Sequence, residues 1–138
     1  MRSNRAAVLV ALVVLLGGIL ACSAFQTTPT VSNIRMTTDD TGKTSTSSYA
    51  PSDQFYVFAD LSDIKVGSVI EAKWYAVAAQ GVDPNSELNT SDYNYETGVS
   101  YVYFQLSTTD GGDWPTGTYR VELYLDGTKV GEQAFTVK

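Results

Sequence analysis

A two-residue rhythm constrains this chain more than any other feature of its sequence. In residues 118–125 (TYRVELYL), Tyr119, Val121, Leu123 and Leu125 fall on one side of an extended backbone, and Arg120, Glu122 and Tyr124 on the other. Residues 68–77 repeat the pattern: Ile70, Ala72, Trp74 and Ala76 oppose Glu71, Lys73 and Tyr75. In 99–106, Val102, Phe104 and Leu106 oppose Tyr101, Tyr103 and Gln105. Such alternation marks a half-buried strand, because successive side chains point to opposite faces of a sheet. Residues 54–61 (QFYVFADL) are apolar on both faces and read as a well-buried strand. No comparable 3.6-residue periodicity follows residue 30, so the body is predicted to be all-β.

Turn chemistry divides these segments. Asp126-Gly127 predicts a tight hairpin into a strand over 130–137, since the turn needs positive φ. Val130 and Phe135 differ in parity, so a bulge near Gly131 is expected if both face inward. Residues 31–37 form a weak first strand, and 38–53 a Ser/Thr-rich loop with room for a short edge strand around 44–48. Residues 78–97 are loop-rich, with turns at Gly81 and Asp83-Pro84-Asn85 and a candidate edge strand at 93–96. About seven short strands in a body of this length predict an antiparallel β-sandwich of two sheets.

The first 25 residues differ in kind. A basic head with Arg2 and Arg5 precedes an apolar run from Ala6 to Leu16, then Gly17-Gly18 and Ile19-Leu20-Ala21-Cys22. This is the layout of a secretory signal helix. Ile19-Leu20-Ala21-Cys22 resembles the lipobox of bacterial lipoproteins, matching at Ile19, Ala21 and Cys22, with Leu20 bulkier than usual. The resemblance implies cleavage before Cys22, a diacylglycerol thioether on its sulfur and further acylation of palmitate type. The chain then divides into a signal peptide (1–21), a lipidated tether (22–30) and a sandwich domain (31–138). The competing reading is an uncleaved signal anchor, for which the 20 residues from Ala6 to Phe25 suffice. Either way the basic head stays inside and the body lies outside the cytoplasm. Ser23, where aspartate favours the inner membrane, leans toward the outer membrane in a Gram-negative source.

The stretch Asp113-Trp114-Pro115-Thr116-Gly117-Thr118-Tyr119-Arg120-Val121 resembles the entry to strand F of immunoglobulin-like domains, especially small modules of bacterial secreted proteins. The resemblance implies that Tyr119 is the corner tyrosine and that Val121 stands where the second cysteine would be. Trp74 would be the core tryptophan of strand C, and Val57 or Ala59 would occupy the first-cysteine position. It covers roughly residues 31–138 and implies an architecture, not an activity.

Residue chemistry narrows function by exclusion. Histidine is absent and Cys22 is the single cysteine, so intrachain disulfides, imidazole catalysis and Cys/His zinc sites are ruled out. Without Arg2 and Arg5, seven basic residues face fifteen acidic ones, a net −8 that disfavours nucleic-acid partners. Among carboxylates, Asp110-Gly-Gly-Asp113 and Asp39-Asp40 sit in turn-rich loops, where making turns is the simplest role. Asp110 and Asp113 are weak calcium candidates, without an EF-hand pattern. A carboxylate-based hydrolase would need two facing carboxylates in a deep cleft. The outward tyrosines Tyr75, Tyr101, Tyr103 and Tyr124 are the candidate binding surface, suited to a sugar face or an envelope protein. Strand propensity and cross-strand packing explain the same residues without binding. The expectation is a lipid-anchored, extracytoplasmic, cofactor-free and non-catalytic binding or envelope-interaction module. A small carbohydrate-binding module is the alternative.

Overall fold

The computed structural model describes residues 27–138. The predicted signal peptide, Cys22 and most of the predicted tether lie outside them. Eight strands run in chain order: β1 (Thr30–Thr37), β2 (Ser48–Tyr49), β3 (Phe55–Ser62), β4 (Val69–Ala79), β5 (Ser86–Asn94), β6 (Tyr101–Leu106), β7 (Gly117–Leu125) and β8 (Thr128–Val137). They form a three-stranded sheet, β1-β3-β6, and a five-stranded sheet, β2-β8-β7-β4-β5. Every pairing is antiparallel except the two-residue β2–β8 contact, which is parallel. The all-β sandwich expected from the alternation is thus observed, with one very short strand beyond seven substantial ones.

The alternating segments bury the predicted faces. Ile70, Ala72, Trp74 and Ala76 of β4 lie inside against Tyr119, Val121 and Leu123 of β7, with Trp74 directly opposite Val121. Val57, Ala59 and Leu61 of β3 and Val102, Phe104 and Leu106 of β6 supply the facing layer. The β7–β8 hairpin turns on Asp126 (φ 48°) and Gly127 (φ 82°), the paired positive φ values that this short connection needs. Leu123 pairs with Gly131 and Tyr124 with Lys129, so Val130 is the extra residue of the expected bulge.

The principal difference from expectation is β5. The segment SELNTSDYN has few strand formers, and only 93–96 was predicted as edge strand, yet β5 pairs along most of β4. A register irregularity opposite Trp74/Tyr75 shifts which β5 side chains face inward, leaving Leu88 and Tyr93 packed on the core at different parity. That shift hides the alternation. The expected strand at 44–48 shrinks to a bridge between Thr37 and Ser45 followed by β2.

Without a disulfide, aromatic rings join the two layers. Phe55 of β3 contacts Tyr49, Trp74, Trp114, Tyr119 and Phe135, with ring centroids 4.6 to 6.4 Å apart. Tyr119 donates its hydroxyl to the Pro115 carbonyl at 2.6 Å, which is the corner contact the sequence implies. Tyr49 is 3% exposed and donates to the Thr37 carbonyl at 2.7 Å, tying β2 to the end of β1.

Burial pushes the Tyr49 phenol up to about 12, against 10.0 ordinarily. The unfolded chain therefore loses this proton first as pH rises, so stability falls between about pH 10 and about pH 12. The shift corresponds to about 3 kcal/mol at most. Tyr49→Phe should be less stable near neutrality by about 1 kcal/mol, for the lost hydrogen bond. Its unfolding free energy should fall less steeply than wild type across that alkaline window. Denaturant titrations of both proteins at several alkaline pH values check this, and parallel slopes would contradict it.

Candidate functional site

The strand order separates the four candidate tyrosines onto opposite outer surfaces. Tyr75 (β4) and Tyr124 (β7) lie on the outer face of the five-stranded sheet, whereas Tyr101 and Tyr103 (β6) lie on that of the three-stranded sheet. They do not form one surface. Strand parity alone could not show this, because it tells inward from outward but not which sheet a strand joins.

On the five-stranded sheet the rings are already engaged. The Arg120 guanidinium lies 4.8 Å from the Tyr75 ring centroid, and Lys73 Nζ lies 4.9 Å from that of Tyr124. Tyr124 donates to Glu122 at 2.6 Å, and Lys129 reaches both Glu122 and Glu132. Arg120 Nε lies 2.9 Å from Glu122 Oε1, an ion pair too bent to be a hydrogen bond. Burial opposes ionisation of Glu122. The hydrogen bonds from Tyr124 and Lys129, with the nearby Lys129 and Arg120 charges, outweigh it and hold this carboxyl below its ordinary value. This face is a network of ion pairs, with Tyr75 and Tyr124 half-buried beneath cations.

The three-stranded sheet presents a different surface. Tyr101 is 53% and Tyr103 41% exposed. Both stack on Phe58 of β3, at 6.0 and 5.1 Å, with their planes within 20° and 16° of its ring. Phe58 points outward yet is buried, because the 38–46 loop folds over it. An added Cβ at Gly42 (φ 67°) would sit 2.7 Å from Phe58 Cε1. The loop is held by Thr38 N–H to the Thr44 carbonyl and Thr46 N–H to the Met36 carbonyl. Arg35 lies 5.4 Å from the Phe58 centroid and bonds Asp60, which also accepts from Asn33 at 2.8 Å. The Asn33 and Arg35 contacts hold the Asp60 carboxyl below its usual value. A cleft of about 350 Å³ opens among Arg35, Thr41, Phe58, Asp60, Ser100 and Tyr101. The aromatic platform and the Arg35–Asp60 pair share one wall. Neither Phe58 nor Arg35 is visible as a site residue in the sequence, since their meeting depends on the β1-β3-β6 order.

The carboxylate candidates behave as turn-makers. Asp110 Oδ1 accepts the Gly112 N–H at 3.1 Å, and Asp39 Oδ1 accepts the Thr41 N–H and hydroxyl at 3.0 and 2.6 Å. Those Thr41 bonds keep the Asp39 carboxyl below its ordinary value. Asp110 and Asp113 do line one cleft, of about 460 Å³, with Trp114 and the end of β6. Among the described residues no three His, Cys, Asp or Glu side chains gather as a metal site.

Comparison with known proteins adds the fold. No family model matches the chain, and no curated protein matches it. It is similar to the crystal structure of an immunoglobulin-like protein from Pseudomonas aeruginosa, with TM-score 0.58 and 12% identity, covering 83% of this chain and all of that one. It also resembles parts of larger proteins. One is an alkylpurine DNA glycosylase from Pseudomonas fluorescens (TM-score 0.50, 9% identity, 83% of this chain and 31% of that one). Another is a β-glucosidase from Listeria innocua (TM-score 0.50, 15% identity, 80% and 16%). At these identities the likeness speaks to fold alone, and the fold is an immunoglobulin-like β-sandwich.

The Gly42 contact gives a test of how the exposed face is built. Gly42→Ala should destabilise the protein by about 1–3 kcal/mol through the positive φ and the clash with Phe58. Amide exchange at Thr38 and Thr46 should speed up more than in β7. Uniform loosening, or none, would show that the loop does not seat on Phe58.

Proposed function

We propose that this sandwich is a lipid-anchored, extracytoplasmic, non-catalytic binding module whose working surface is the Tyr101/Tyr103 side of the three-stranded sheet. The observation that carries it is Ile19-Leu20-Ala21-Cys22, which ends an apolar run only eight residues before β1 begins at Thr30. One acyl chain holds a protein only marginally and two or more hold it firmly, at about 0.8 kcal/mol per buried methylene. Eight residues reach at most about 25–30 Å, so such a module works close to its membrane. The non-catalytic part is supported by the absence of histidine and by the structural bonding of Asp39, Asp60 and Glu122. The choice of surface is supported by the contrast between the open Tyr101 and Tyr103 rings and the capped Tyr75 and Tyr124.

A second reading, a carbohydrate-binding module, is favoured by one arrangement. Near-parallel exposed rings beside the Arg35–Asp60 pair offer a stacking platform with hydrogen-bonding groups at its rim. A glycan array probed with wild type and Tyr101→Ala/Tyr103→Ala decides this reading, which fails if no signal depends on the rings.

Anchoring is tested in cells of the source organism by metabolic labelling with an alkynyl fatty acid. Wild type should take the label and sediment with membranes, and Cys22→Ala should lose the label. A wild type that takes no label yet sediments with membranes would establish an uncleaved anchor instead.

A further inference from the structure

Two sheets have four edge strands, and unpaired edges invite the addition of another strand unless something blocks them. Three of the four are blocked here. β1 is interrupted by a register break against β3 between Ser32 and Arg35, and its Ile34 and Met36 carbonyls are taken by Gln133 Nε2 and the Thr46 N–H. β2 is two residues long. β5 carries the exposed charges Glu87 and Asp92. The fourth edge, β6 (YVYFQL), has no charge, no proline and an unbroken register with β3.

The hydrogen-bond phase identifies which groups are free. Leu61 N–H donates to the Ser100 carbonyl at 2.8 Å, and the register continues evenly from that pair. Antiparallel pairing alternates, so the backbones of Val102, Phe104 and Leu106 face β3. The N–H and C=O groups of Tyr101, Tyr103 and Gln105 therefore point to the open edge. Clefts flank both ends of that edge. One, about 440 Å³, lies between Tyr93 of β5 and residues 98–103, and is lined mainly by apolar surface. The other, about 460 Å³, lies beyond Leu106 and has Asp110 and Asp113 in its wall but no Lys or Arg.

We propose that the β6 edge takes up an extended segment of a separate protein by strand addition. The incoming segment is antiparallel to β6 and begins with a basic side chain that reaches the Asp110/Asp113 cleft. Backbone bonds to Tyr101, Tyr103 and Gln105 supply affinity, and the acidic end sets polarity and selects a basic partner. A second copy of this chain is the poorer occupant. Antiparallel pairing of two β6 strands about Tyr103 brings each 110–113 turn toward the other copy's Asp60, between two bodies of net charge −8. The inference rests on the binding-module reading and gives it a chemistry.

The test uses the full chain in detergent micelles and a synthetic peptide of alternating threonine and valine with arginine at its N-terminus. Amide NMR should show the Tyr101, Tyr103 and Gln105 amides exchanging freely in the chain alone, and slowed about tenfold or more by the peptide. Replacing the peptide's arginine with glutamate should weaken binding about tenfold, and Asp110→Asn/Asp113→Asn should remove that preference. Gln105→Pro deletes an outward N–H that the fold does not use, keeps both tyrosine rings, and should abolish peptide binding. If that variant does not fold, a backbone N-methylated peptide makes the same test on the unaltered chain. The proposal is overturned by amides already protected in the dilute free chain, by protection that follows chain concentration alone, or by peptide binding indifferent to Gln105→Pro and N-methylation. Should the peptide fail while ring-dependent glycan binding survives in Gln105→Pro, the edge is refuted and the binding-module reading stands.

Discussion

Everything in this sandwich depends on Phe55. It projects from the three-stranded sheet into a cage formed by Tyr49, Trp74, Tyr119 and Phe135 of the other sheet, closed at the rim by Trp114. Immunoglobulin domains with a disulfide gain about 2–4 kcal/mol from that one bond. Five aromatic contacts at about 0.5–1.5 kcal/mol each, beyond the burial of their area, are of the same order. The cage also reaches the loops. Trp114 stacks on Phe55 at 4.6 Å while its indole N–H holds the Asp53 carbonyl, so the 107–116 connection is fixed from the core outward.

With the layers fixed, the two outer faces diverge in character. The five-stranded sheet spends its charged residues on one another and on its tyrosines, leaving no ring uncovered there. The three-stranded sheet has one ion pair, Arg35–Asp60, and it lies beside the Phe58 stack without covering Tyr101 or Tyr103. The asymmetry follows from strand content. β4 and β7 alternate charge with tyrosine on their outer sides, whereas β6 has only Tyr, Tyr and Gln.

Most of the architecture is legible in the sequence, because period-2 alternation over β4, β6 and β7 is a direct record of one wet and one dry face, and the doubly apolar β3 marks a buried strand. The β7–β8 turn and the bulge at Val130 were readable too, since Asp-Gly and a parity conflict are local signals. β5 was not. Its Ser, Asn and Asp residues are ordered by pairing with β4, and a long-range partner leaves no mark on the segment itself. For the same reason the sequence does not divide the four tyrosines between two faces. Outwardness is local, but the neighbours of Tyr101, namely Phe58, Arg35 and the Gly42 loop, are assembled by sheet order.

Trp74 is 1% exposed, yet its indole N–H has no partner. Its place is held by ring volume and shape rather than by a polar contact, and a buried orphan donor costs stability instead of adding it. A site of that kind constrains size and shape more than polarity, so apolar replacements that keep the volume are tolerated there. In the cage around Phe55 the same holds for Trp74 and Phe135, whereas Tyr49, Tyr119 and Trp114 each also donate to a backbone carbonyl. A core specified by shape can exchange residue after residue while its topology persists. This is how two sandwiches can share their architecture over 83% of this chain with only 12% of their residues in common.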